Sequence, residues 1–253
     1  MLRLLCSLLL LAKLPALCAQ GGPPLLTNDP GTPGDQHWEI NLGAVPGISH
    51  ASASYQLPQI DLNYGVGDRV QLTYEVPYVL QTADGDPSHT GWGNAWPGVK
   101  WRFLDQGEEG WQASVFPQAQ IGVSPSAQAR GLGVSGTRYL LPLELARKLG
   151  ALDLGVEAGY FLSAHGPRER ILGLVAGGAL GERLELDAEL YDDRVMGGAP
   201  FETTLDLAAR YRLAPALIGL IMVGHSVGAS SAGAAQWIGY LGVQILLSAR
   251  RTP

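Results

Sequence analysis

Residues 69–76 read Arg-Val-Gln-Leu-Thr-Tyr-Glu-Val, RVQLTYEV. Polar and apolar side chains alternate at every step. Helix faces recur every 3.6 residues and strand faces every 2.0, so this stretch specifies an extended strand with one polar and one apolar face. The rhythm is repeated in RLELDAEL (183–190), LDLAARYRL (205–213), QIDLNY (59–64), WEINL (38–42), VKWRF (99–103) and LDLGVE (152–157). Ala208 is the one small exception among them.

About twelve segments keep this period: 36–45, 51–64, 68–80, 93–104, 111–124, 134–147, 150–162, 169–180, 182–192, 200–213, 215–224 and 236–249. Many reach ten residues, which is long for a soluble sheet and right for a tilted strand that crosses a bilayer. Connections alternate in length. GVG (65–67), DQGEEG (105–110), Lys148-Leu149, Gly181 and Ala214-Pro215 are short. QTADGDPSHTGW (81–92), SPSAQARGLG (124–133), DDRVMGGAP (192–200) and HSVGASSAGAA (225–235) are longer. An even strand number with short turns at one end and long loops at the other defines an all-β, closed, antiparallel up-and-down transmembrane β-barrel of about 12 strands. Closure is forced, because a backbone N–H or C=O facing lipid has no water to bond.

The start of the chain is different. MLRLLCSLLLLAKLPALCA (1–19) has a basic residue, an apolar run and then small residues, the pattern of a signal peptide for export. Gly21 to Gly34 is rich in Pro and Gly and lacks the two-residue period. The domain reading is therefore a signal peptide over 1–19, a Pro/Gly-rich arm over 20–35 and the barrel over 36–253. The arm is either a flexible periplasmic segment or a plug inside the lumen.

Composition excludes several functions. Both cysteines, Cys6 and Cys18, fall in the signal segment, so thiol catalysis and cysteine zinc sites are not expected downstream. Of 17 basic residues, Arg3 and Lys13 fall there too. The remaining 15 face 23 acidic ones, a net charge near −8. Nucleic acid is not an expected partner of such a chain. The five histidines are scattered without ligand spacing, so neither a metal nor a cofactor is expected.

With lipid outside, the polar face of each strand lines the lumen. Those faces carry Glu39 and Asn41; Gln59, Asp61 and Asn63; Arg69, Gln71, Thr73 and Glu75; Lys100 and Arg102; Gln112, Gln118 and Gln120; Glu144; Asp153 and Glu157; Glu185, Asp187 and Glu189; and Asp206, Arg210 and Arg212. All but Gln59, Thr73, Gln112, Glu144, Asp153 and Glu157 are candidates for lining a solute path. The acidic row Glu185, Asp187 and Glu189 is expected to be solvated or ion-paired, with a cation-selective stripe or a calcium site as the alternative. Tyr55, Tyr64, Tyr78, Trp111, Tyr139, Tyr160, Tyr191 and Tyr211 sit near strand ends, where interfacial aromatic girdles belong.

Several stretches carry a family resemblance. They are NDPGTPG (28–34) with HWEIN (37–41), LPQIDLNYGVGDRVQL (57–72) and GVKWRF (98–103). This part of the chain resembles the bacterial outer-membrane "transporter" family, also described as a putative MetA-pathway family of phenol degradation. The resemblance implies a β-barrel in the outer membrane of a Gram-negative bacterium. Its partners would be membrane lipid, the outer-membrane assembly machinery and a small solute, with a suggestive link to hydrophobic or aromatic compounds. It brings no catalytic residues. The last residues, SARRTP (248–253), depart from the terminal aromatic that the assembly machinery reads.

One motif points elsewhere. Gly224-His225-Ser226-Val227-Gly228 fits G-x-S-x-G, the nucleophile elbow of serine hydrolases. The elbow needs a strand-to-helix turn, then an acid and a histidine later in the chain. No Asp, Glu or His follows Ser226. The expected function is an outer-membrane channel or transporter for a small solute. A non-conducting structural or binding barrel with a filled lumen is the alternative, and an outer-membrane serine hydrolase is the remote one.

Overall fold

The computed structural model describes residues 21–107, 109–163, 168–197, 201–229 and 235–248. The signal-peptide reading of 1–19 and the tail 249–253 lie outside the described residues. The strands are β1 (Trp38–Ile48), β2 (Ser52–Val66), β3 (Val70–Ala83), β4 (Asp86–Trp92), β5 (Trp96–Asp105), β6 (Trp111–Val115), β7 (Gln118–Gln120), β8 (Arg138–Leu149), β9 (Leu152–Ser163), β10 (Glu169–Leu180), β11 (Leu184–Val195), β12 (Phe201–Ala214), β13 (Leu217–Ala229) and β14 (Trp237–Leu247). A single turn of helix, α1 (Pro125–Ala129), lies between β7 and β8.

The strands close a barrel of 12 staves. Neighbours pair antiparallel, and the seam is β1 on β14, from Trp38 opposite Leu247 to Ile48 opposite Trp237. Fourteen strand segments make 12 staves for two reasons. First, β6 and β7 are one stave broken at Phe116-Pro117. Proline offers no N–H to a ladder. Phe116 N–H turns to the Pro142 carbonyl at 3.2 Å, and the Pro117 carbonyl takes Val99 N–H at 3.0 Å. Second, β4 is a hairpin arm folded on the top of β3, while β3 pairs lower down with β5. The sequence reading left 81–92 as a loop. Asp84-Gly85 turns it, with Gly85 at φ 79°, and Asp-Gly is the two-residue hairpin signal that the composition of the segment hid.

Alternation sorts the side chains as lipid requires. On β12, Leu205 and Leu207 are 50% and 61% exposed, whereas Asp206 and Ala208 between and beside them are buried. Leu186 and Leu190 on β11, and Leu141 and Leu143 on β8, face out in the same way. Aromatic residues ring both ends of this apolar belt. Trp38, Trp101, Phe103, Trp111 and Tyr211 mark the short-turn end, and Trp92, Tyr139, Tyr160 and Trp237 mark the long-loop end. Tyr64 stacks on Trp38 at 4.7 Å, and Tyr78 meets Trp92 edge-on at 5.3 Å. Tyr191 does not join a girdle. It is in phase with Glu185, Asp187 and Glu189 and so points inward. An apolar belt between two aromatic girdles is what a barrel that spans a lipid bilayer presents to it.

Candidate functional site: the barrel lumen

The lumen is built by what each strand leaves inside. The first occupant is the N-terminal arm. It enters at the short-turn end, where Gln36 N–H donates to the Gly65 carbonyl at 2.9 Å and Gly65 N–H to that of His37 at 3.0 Å. Asp35 Oδ1 accepts from Gly67 N–H at 2.8 Å. Entry needs a close pass: a Cβ on Gly65 would lie 1.8 Å from the Gly34 carbonyl oxygen. The arm then runs up the lumen and doubles back, closed by Gly22 N–H to the Thr27 carbonyl at 2.6 Å.

Strand side chains hold the arm by its backbone. Glu189 on β11 accepts from the N–H groups of Leu26 and Thr27 at 3.0 and 2.5 Å. Glu157 on β9 accepts from Asn28 N–H at 2.8 Å and from its Nδ2 at 3.3 Å. Lys100 Nζ on β5 donates to the Asp29 carbonyl. Arg210 Nη2 on β12 donates to the carbonyls of Gly22 and Pro23 at 3.1 and 3.3 Å. A buried charge must find such partners, because desolvation otherwise costs more than the site can return. Thr27 sits over Gly173 of β10, where a Cβ would fall 1.9 Å from its hydroxyl oxygen. Leu25 tucks against Val175, Ala208, Ile218, Leu220 and Met222. Of the two fates open to residues 21–34 from sequence, the structure has them inside the barrel.

Most acids of the β5–β12 wall meet a cation or the arm. Arg210 Nη1 donates to Glu185 and Asp187 at 2.8 Å each. Lys100 Nζ lies 3.5 Å from Glu144, which also accepts from Ser114 Oγ. Glu189 and Glu157 are held by the arm. The acidic row of β11 is thus divided between one arginine and the arm's main chain. Asp206 is fully buried beside Thr204, whose hydroxyl donates to it at 3.4 Å.

The wall of β1–β3 differs. Asn41, Asp61 and Glu75 are directly opposite one another across three strands. Asn41 Nδ2 donates to Asp61 at 2.9 Å and to Glu39 at 3.2 Å. Asn63 Nδ2 donates to Asp61 at 2.9 Å, and Asn63 Oδ1 accepts from Gln71 Nε2 and Thr73 Oγ1. Gln59 Nε2 donates to Glu75 at 2.7 Å. Between this wall and the arm lies a cavity of about 730 Å³. Its upper side is apolar and aromatic: Leu140, Phe161 and Ile171 pack together with Trp96 and Tyr191 against them. The loop residue Leu132, seated on Val79, covers the long-loop end.

The sequence candidates fall into three groups. Asn41, Asp61, Asn63, Gln71, Lys100, Gln120, Glu185, Asp187, Glu189, Asp206 and Arg210 are buried inside, with Glu39, Glu75 and Gln118 half-buried there. Arg102 and Arg212 stand near the short-turn rim, Arg102 donating to the Asp68 carbonyl at 2.6 Å. Arg69 is a correction. It lies exposed in the turn of residues 67–69, not in the lumen, because the turn needs Gly67 at φ 62° and begins two residues later than the period suggested. Sequence reasoning passed over the lumen aromatics Trp96, Phe116, Phe161, Tyr191 and Tyr240. Their parity gave the signal: Phe161 is in phase with Asp153 and Glu157.

The hydrolase motif is not an elbow here. Gly224 to Gly228 lies within β13, which runs five residues past the end expected from sequence. Adjacent strand residues face opposite ways, so His225 meets Trp237 edge-on on the outside at 4.5 Å while Ser226 turns from it.

The architecture is that of a closed, 12-stave antiparallel β-barrel of the transmembrane type. In fold, the chain is similar to the COG4313 outer membrane channel from Pseudomonas putida F1, with a TM-score of 0.67 at 12% identity, covering 87% of this chain and 99% of that one. It is also similar to the NanC porin, TM-score 0.58 at 10% identity over 81% and 98% of the two chains. The KdgM porin matches with TM-score 0.56 at 10% identity over 82% and 98%. No protein-family model matches the sequence, and no curated protein matches it.

Proposed function

We propose that this protein is an outer-membrane channel that passes a small solute along the cavity between the arm and the β1–β3 wall. The observation that carries the reading is that cavity: about 730 Å³ of space inside a closed barrel, bounded by polar groups on one side and aromatic ones on the other. A concave recess that pairs apolar surface with convergent polar groups is what a small-molecule site needs. The solute is a hydrophobic or aromatic compound, in keeping with Trp96, Phe161 and Tyr191 and with the sequence resemblance to the MetA-pathway family. A second reading is a non-conducting barrel, and the arm held inside the lumen favours it. The test is single-channel current in a planar bilayer, with the mature chain and with residues 20–35 deleted. The channel reading expects a small current that rises on deletion. Absence of current from both chains, each shown closed by heat-modifiable migration, would establish the second reading.

A further inference from the structure

The lumen acids are not compensated evenly. Glu144, Glu157, Glu185, Asp187 and Glu189 each bond to Lys100, Arg210 or the arm. Asp206 accepts from the Thr204 hydroxyl, while Glu39, Asp61 and Glu75 are grouped on one wall with only amide donors, from Asn41, Asn63 and Gln59. Among the described residues, no lysine, arginine or histidine lies within 4.0 Å of these three carboxylates. Asp61 and Glu75 are direct cross-strand neighbours, an arrangement of like charges that destabilises a sheet unless something positive sits between them.

The amide network answers that charge with neutral donors alone. Asn41 Nδ2 already serves two carboxylates and Gln59 Nε2 serves a third. The atoms left over are acceptors: Asp61 Oδ1, Asn41 Oδ1 and Gln59 Oε1 are buried without a partner. Asp61 itself is only 6% exposed, and it borders the cavity. A buried acceptor left unbonded calls for a donor from outside the wall.

The cavity supplies the other half of a recognition site. Trp96 is the cross-strand partner of Glu75 on β5. Its ring meets Phe161 at 6.0 Å, nearly edge-on, and Tyr191 packs on the same cluster. The Arg138 guanidinium already covers a face of Phe161, 4.0 Å from its centroid, so Trp96 and Tyr191 are the rings left to meet a cation. Carboxylates next to aromatic faces bind an organic ammonium in two ways, by charge and by cation–π contact. An inorganic cation would leave the aromatic side idle, and a carboxylate or phosphate solute would meet repulsion from three acids.

We propose that Glu39, Asp61 and Glu75, with Trp96 and Tyr191, form a binding subsite for organic ammonium cations that carry an aromatic or apolar body. The subsite deepens the channel reading, on which it rests, by naming the class of solute.

Benzylammonium is the probe, with benzyl alcohol and benzoate as matched neutral and anionic controls. Binding to the full mature chain in detergent is measured by isothermal titration calorimetry, and current through planar bilayers is recorded in parallel. Benzylammonium is expected to bind at least about tenfold tighter than either control. The double variant Asp61→Asn, Glu75→Gln should remove that preference while heat-modifiable migration shows the barrel closed. Equal affinities for the three probes in the native protein would overturn the proposal without recourse to any variant. So would a preference that survives in the closed double variant. Calorimetric preference with no current in any chain would uphold the subsite and overturn the channel.

Discussion

Replacing Glu189 by Gln tests whether the arm is held by its main chain. In the native structure one carboxylate accepts from two successive backbone N–H groups, Leu26 at 3.0 Å and Thr27 at 2.5 Å. Glutamine keeps one carbonyl oxygen for one of them and turns an NH2 toward the other, so one bond to an ionised acceptor is lost. Such a bond contributes about 1.5–3 kcal/mol net. Since 1.36 kcal/mol is a factor of ten, local opening of the arm should become about 10- to 150-fold more frequent. Amide hydrogen exchange of the mature protein in detergent reads this directly. Protection of the Leu26, Thr27 and Asn28 amides should fall together by that factor, since the arm releases as one piece. Strand amides such as that of Leu220, which is buried beside the arm, should not change. Unchanged protection in the variant would refute the reasoning. So would native arm amides that exchange as fast as an unfolded peptide.

Leu207→Arg puts a charge on the lipid face at the middle of β12, and should destabilise the barrel by about 2–4 kcal/mol in reversible denaturant unfolding from lipid vesicles. A neutral effect would place that face away from hydrocarbon. Gly173→Ala drives a methyl into Thr27. It should abolish exchange protection of the arm while the barrel keeps its heat-modifiable migration, whereas a seated arm would show that the approach has room to spare. Ser226→Ala should leave any hydrolysis of p-nitrophenyl esters unchanged, because β13 runs straight through the motif. A Ser226-dependent activity would revive the hydrolase.

The barrel was legible because lipid outside and polar groups inside impose one signal on every stave. RVQLTYEV already carried it, and the 12 staves lie close to the segments read from period alone. What period two misses is what departs from it. The break at Phe116-Pro117 stayed hidden, since the residues on both sides keep their phase. The hairpin of β4, whose segment Asp86–Trp92 has little apolar character, read as loop. The lumen was legible in its polar residues and not in its aromatic ones. Phe161 and Tyr191 are inward by the same parity that places Glu157 and Glu189, but an aromatic near a strand end also suits a girdle. The arm could not be placed from its own sequence. Its anchors are backbone N–H and C=O groups, which every residue but proline offers alike. The anchors' partners lie 71 to 188 residues away, on β5, β9, β11 and β12.

Both ends of the described arm lie toward the same mouth: residue 34 at the rim beside Gly65, and residue 22 back near Arg210. The arm is therefore a bight pushed into the tube, not a cord passed through it. No stave has to part from its neighbour for this loop to slip out or return. Insertion is topologically independent of zipping the β1–β14 seam, so a barrel that has already closed can still be corked or uncorked from one side.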